Sequence, residues 1–201
     1  LSDETWEEFL GEFADYRSDY FLHGKWQRAG STDYFSHDFG RPFGKQYCMP
    51  MHLPEMESLP RELPDLQETG FFVGGFNPLT DYFILPVVML ILKFLPKGYW
   101  KYAARLFRWG INRTKPPYGI MLAADCAGYD GSTKKEGTIT LFHEDAYVMT
   151  AAPVVACLAQ YFERGRRKPG VWLQADFVEP VDFMNRLKSL GISVEEKFMK
   201  H

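Results

Sequence analysis

The spacing of apolar residues predicts a run of short elements. Trp6, Phe9, Leu10 and Phe13 share one helical face behind Ser2 or Asp3 as a cap, with acids in the first turn, which predicts a helix over 2–13. Tyr20, Leu22 and Lys25-Trp26 predict a strand within 17–28, with a turn or bulge at Gly24. Residues 34–39 alternate weakly as a second strand and 46–51 as a third, across the turn-rich 40–44. Pro54 opens a short helical turn over 54–59, and 69–76 reads as a glycine-containing strand.

Residues 83–92 are an unbroken apolar run, bracketed by Asp81 and Lys93. A spanning helix needs roughly 20 apolar residues, so two readings remain: a buried or subunit-interface helix, or a membrane-surface segment. Residues 98–113 predict a following helix in which Tyr99, Trp100, Tyr102, Phe107 and Trp109 interleave with Lys97, Lys101, Arg105, Arg108 and Arg113. That pattern suits either a solvated face over a core or an interfacial helix.

Two strands, 118–129 and 137–143, flank a polar loop at 130–136, and form a hairpin. Residues 146–162 are apolar nearly all round, with Pro153 inside, which predicts a helix buried on most sides. Arg164, Arg166, Arg167 and Lys168 follow it as a basic loop. Residues 170–173 read as a short strand or extended lead-in. Glu179-Pro180 opens a last helix over 180–190, ended by Gly191 and followed by a strand at 193–199. The expected fold class is α+β: a mixed, mainly antiparallel sheet centred on the 118–143 hairpin, with helices packed on one face.

Composition narrows the function classes. The 201 residues are 46% hydrophobic and 16% aromatic, which excludes wholesale disorder. A net charge of −3 gives no general field for nucleic acid. Cys48, Cys126 and Cys157 lack metal-ligand spacing and read as reduced thiols of a cytoplasmic-type compartment. The start at Leu1, without Met, reads as a fragment, with part of the machinery expected upstream.

Several motifs fail. Gly40-Arg-Pro-Phe-Gly44-Lys45-Gln46 has three residues between its glycines, and Gln where a phosphate loop needs Ser or Thr. No Gly-x-Gly-x-x-Gly occurs, so the chain has no dinucleotide fingerprint. His143-Glu144 lacks a second His, and no metal site is expected. Two clusters remain. At the strand-to-helix junction, His143, Glu144 and Asp145 either line a substrate pocket or form a plain cap. In the 38–45 loop, Asp38, Arg41 and Lys45, with His37 beside them, either hold a substrate carboxylate or are simply solvated.

The stretch 141–158, then Lys168-Pro-Gly-Val-Trp172, Val178-Glu-Pro180, Phe183-Met184 and Leu190-Gly-Ile192, resembles the C-terminal part of the saccharopine dehydrogenase-like oxidoreductases. Asp38-Phe-Gly40, Met49-Pro50 and 71–77 look similar too, so the likeness covers most of 20–195. It implies that 1–201 is a single substrate-binding and dimerisation domain with a helical interface segment at about 77–113. It also implies a homodimer, a small-molecule substrate and an N-terminal Rossmann domain that carries NAD or NADP. No cofactor is then expected on this chain. The chemistry implied is hydride transfer at a carbon next to nitrogen. The alternative is a non-catalytic membrane-surface or lipid-binding module. The expected location is cytoplasmic, with peripheral membrane contact as an option.

Overall fold

A computed structural model describes residues 6, 9–11, 13, 16–30, 35–163 and 170–200. The expected caps Ser2 and Asp3, the strand residue Tyr34 and the basic run Arg164, Arg166, Arg167 and Lys168 lie outside the described residues. The sequence reading takes 1–201 as one domain; the contacts gather into two compact units, Leu1–Pro116 and Pro117–His201.

Among its described residues the first unit holds two three-stranded antiparallel sheets and a helical hairpin. β1 (Asp19–Leu22) and β2 (Lys25–Arg28) pair across a two-residue turn. The single strand expected within 17–28 is therefore a hairpin. His23 and Gly24 both have positive φ, 52° and 76°, and this twist suits a tight hairpin turn. β3 (Phe35–Asp38) pairs with β4 (Lys45–Met51). A 3-10 turn (Pro54–Glu57) and α1 (Leu59–Glu62) follow.

The strand expected over 69–76 is divided at Gly70. β5 (Glu68–Thr69) pairs with β1, and β6 (Phe71–Gly74) pairs with β4. A Cβ at Gly70 would lie 3.0 Å from the Phe72 ring and 3.1 Å from Tyr20 Cβ, so the crossing is tight. The rings of Tyr20 and Phe35, 5.4 Å apart, and of Phe35 and Phe72, 4.5 Å apart, stitch the two sheets together.

A π-helical turn (Thr80–Ile84) runs into α2 (Leu85–Phe94). A 3-10 turn (Lys97–Tyr99) leads to α3 (Trp100–Ile111). Leu85, Val88 and Leu92 of α2 meet Ala103, Ala104 and Phe107 of α3 in a core that includes Leu10 and Ile84. Alanines at 103 and 104 let the helices approach. Phe107 is fully buried, and the rings of Trp6, Phe9, Phe13 and Phe76 surround it at 5.4–6.1 Å. Burying one such ring contributes about 2–3 kcal/mol.

In the second unit, β7 (Ile120–Asp130), β8 (Thr133–His143) and β9 (Ser193–Lys200) form an antiparallel sheet with β8 at its centre. The polar loop expected at 130–136 shrinks to the two residues Gly131 and Ser132, and 133–136 continue the ladder. Ion pairs Lys134–Glu136 and Lys135–Asp130 allow charged residues to extend the strands into water. α4 (Ala146–Glu163), α5 (Gln174–Phe177) and α6 (Pro180–Ser189) follow. Ile120, Leu141 and Val194 on one sheet face pack with Met149, Ala152 and Ala156 of α4 and Leu187 of α6. The chain is thus α+β, with helices on one face of this sheet. All its described strand pairs are antiparallel.

Helix α6 ends as its sequence dictates. Gly191 adopts φ 92°, and the Ile192 amide donates back to the Leu187 carbonyl at 3.0 Å. Both of those side chains are buried, completing the helix stop. Helix α4 departs from expectation. Only Met149, Ala152, Ala156 and Gln160 are buried, while Tyr147, Val154, Val155, Leu158 and Phe162 are exposed. An all-apolar helix is buried here on one face.

Candidate functional site

The junction cluster starts where β8 ends. The Asp145 amide donates to His143 Nδ1 at 2.9 Å. An amide only donates, so Nδ1 accepts, and the neutral ring carries its proton on Nε2. The contact of Nδ1 with the Asp145 carbonyl at 3.1 Å is therefore not a second hydrogen bond of that tautomer. Asp145 Oδ1 accepts from the amides of Tyr147, at 2.7 Å, and Val148, at 3.4 Å. The first turn of α4 is satisfied by its own cap, which contributes about 1 kcal/mol. Those two amides are not free for a ligand. Glu144 is exposed on the bend between strand and helix. The three residues are adjacent, and the geometry is that of a cap with an imidazole N–H beside it.

A network that the sequence reading missed ties α4 to α6. Gln160, 2% exposed, accepts from the Glu179 amide at 2.8 Å and donates to its carbonyl at 3.2 Å. Glu179 in turn caps α6 by accepting from Val181 and Asp182. Arg186 meets Glu163 and Asp182, and these two carboxylates hold its guanidinium more firmly protonated. A Gln on the otherwise apolar face of a helix was the available signal, since a buried amide needs partners.

The 38–45 cluster is a hairpin tip. Asp38 Oδ1 accepts from the Gly40 amide at 2.9 Å, and the Phe39 amide donates to the Gly44 carbonyl at 3.0 Å. Asp38 stands opposite Lys45 in the ladder, and Arg41 occupies the turn before Pro42. All three are exposed. His37 packs its ring on Phe39, 4.5 Å away. The structure brings Asp38, Arg41 and Lys45 together in the first unit, and His143, Glu144 and Asp145 together in the second.

Elsewhere in the first unit, His52 Nε2 stands 2.9 Å from Glu57 Oε1, an ion-pair distance without the alignment of a hydrogen bond. Asn77 accepts from the Thr80 amide at 2.9 Å and donates to the Gly110 carbonyl at 3.2 Å, joining the π-turn to α3. Asp81 accepts from the Phe76 amide at 2.8 Å; burial pushes its carboxyl up. Burial likewise raises the Cys48 thiol, which disfavours the nucleophilic thiolate.

The segment from the π-turn through α2 carries an exposed apolar stripe. Phe83, Val87, Leu90 and Phe94 recur at intervals of four, three and four residues, and all are exposed. On α3 and its C-cap, Arg105, Arg108, Trp109 and Asn112 line a shallow cavity of about 360 Å³. The Arg113 guanidinium stacks over the Trp109 ring at 3.6 Å. Asn112 extends the Lys101–Arg105–Arg108 row by one turn, and was not singled out from sequence.

Among the described residues no group of three His, Cys, Asp or Glu is placed to hold a metal ion. Among them, too, no helix is long and apolar enough to cross a membrane. No family model matches the chain, and no curated protein matches it.

Proposed function

We propose that this chain is the substrate-binding and dimerisation domain of a saccharopine dehydrogenase-like oxidoreductase. NAD or NADP would be held by a separate dinucleotide-binding domain. One observation carries the reading: the residues that resemble the family occupy the joints of the second unit. His143 to Asp145 turn strand into helix, Glu179-Pro180 caps α6, and Leu190-Gly191-Ile192 stops α6 before β9. Residues at joints are fixed by geometry rather than by general hydrophobicity, so their order is informative.

In this reading the second unit does not carry the dinucleotide. Pyrophosphate favours free amides at a helix N-terminus, and those of α4 and α6 are taken by Asp145 and Glu179. On the substrate side, Arg41 and Lys45 at the hairpin tip of the first unit suit carboxylates. The uncharged stripe of Tyr147, Val154, Leu158 and Phe162 supports the dimer, because an apolar face without charges favours a second protein surface.

Saturation-transfer NMR with saccharopine, a secondary-amine amino dicarboxylate, tests substrate binding. The expected signal weakens in Arg41→Ala; no signal with the unaltered chain sinks the reading. Light scattering should give a dimer that Leu158→Asp converts to a monomer. Calorimetric titration with NAD and NADP should give no heat of binding, and micromolar binding would overturn the division of labour.

A further inference from the structure

Charge is unevenly placed along this chain. Of 23 Lys and Arg and 26 Asp and Glu, seven cations and no acid fall within residues 82–124. The remainder carries 16 cations against all 26 acids. The cationic segment contains the helical hairpin whose outer stripe is apolar. Phe83, Leu90 and Phe94 on that stripe are 68%, 56% and 69% exposed.

We propose that the α2–α3 hairpin docks on an anionic lipid surface. The stripe Phe83, Val87, Leu90 and Phe94 enters the acyl boundary, and Lys93, Lys97 and Lys101 meet the headgroups. The stripe spans roughly 16 Å, about half a hydrocarbon core, so the helix lies on the surface rather than crossing it. The three lysines are built for this position. Their ammonium groups lie 5.5 Å from the Phe94 ring, 5.4 Å from Trp100 and 5.2 Å from Tyr102. Each flexible stem places its charge beside an apolar ring and leaves it able to reach phosphate oxygens.

Charge decides between lipid and a second copy. A two-fold contact sets a surface against itself, so the cations of this segment would be concentrated at the junction with no acid of the segment to offset them. The stripe on α4 has no such penalty, which separates the roles of the two surfaces. Nucleic acid would use the cations and leave the apolar stripe in water.

The test is flotation of the full chain with vesicles of phosphatidylcholine alone, or with phosphatidylserine at about 30%. Binding is expected to the anionic vesicles only, and to weaken at high ionic strength. Each cation near such a surface is worth roughly fivefold in partitioning, so Lys93→Gln, Lys97→Gln and Lys101→Gln together should cost about a hundredfold. Leu90→Asp with Phe94→Ser should abolish flotation. These side chains are exposed, and unchanged circular dichroism verifies folding; the lysine variant serves if the apolar one misfolds. Absence of binding, equal binding to neutral vesicles, or a lipid-free dimer that Leu90→Asp breaks overturns the proposal. So does binding to a single-stranded oligonucleotide in place of vesicles.

Discussion

Replacing Gly110 by alanine sets helix propensity against packing. Propensity alone favours alanine by about 1 kcal/mol, and by less at this penultimate position of α3. The structure opposes it. A Cβ there would lie 2.4 Å from Ile84 Cδ1 and 2.8 Å from Thr80 Oγ1. Ile84 is 5% exposed and Thr80 fully buried, so neither can swing into solvent. The Gly110 carbonyl also accepts from Asn77, which holds the Thr80 amide, so a shift of α3 strains the π-turn as well. Overpacking of this kind costs about 1–3 kcal/mol. The net expectation is a loss of about 1–2 kcal/mol, or roughly 0.5–1 M in urea midpoint. Tryptophan fluorescence reads this transition well, because Trp6, Trp26, Trp100 and Trp109 lie in the first unit and only Trp172 in the second. Ile84→Val removes the obstructing methyl. Alone it should cost about 1 kcal/mol, but in the Gly110→Ala background it should cost less or restore stability. A higher midpoint for Gly110→Ala, or strict additivity of the two changes, refutes this account of the helix crossing.

Other expectations follow from single contacts. Gln160→Met preserves volume but strips the Glu179 amide and carbonyl of their partner, and should destabilise by about 2 kcal/mol by denaturant melt monitored by circular dichroism; an unchanged midpoint would contradict the role given to this amide. Asp81 has its carboxyl raised from 3.8 by burial, so it binds its proton more tightly folded than unfolded. Its charging therefore opposes folding: relative to Asp81→Asn, wild-type stability should fall as pH rises from 3.8 through the raised value, and a pH-independent difference would count against it. Thiol labelling of the folded protein should reach exposed Cys126 first and leave Cys48, 2% exposed, until unfolding; early labelling of Cys48 would show that its sheet is open.

The helices were legible because their signals are local. The Glu179-Pro180 start and Gly191 stop of α6 act through neighbouring amides, and the Ala103, Ala104 and Phe107 face of α3 follows a simple period. The 19–28 hairpin was half legible: Gly24 marked a turn or bulge, but with only two residues in the turn the flanking segments read as one strand. Lys134 to Glu136 looked like a loop because their charges mask a ladder that ion pairs support. Which face of α4 is covered depends on a partner surface, and hydrophobic pattern alone does not contain that. The site candidates were legible as clusters. Their roles as cap and turn depend on hydrogen bonds that only the folded backbone aligns.

The passage of the chain through Gly70 has a consequence for how the first unit opens. Thr69 is hydrogen-bonded into one sheet and Phe71 into the other, so two ladders share one backbone joint with no slack between them. Fraying of β5 pulls directly on β6. The amides of the two sheets should therefore exchange with solvent as one cooperative group, despite belonging to separate hydrogen-bond networks. The strands that meet at this joint have only two and four residues, and sharing it lets each sheet limit the fluctuations of the other.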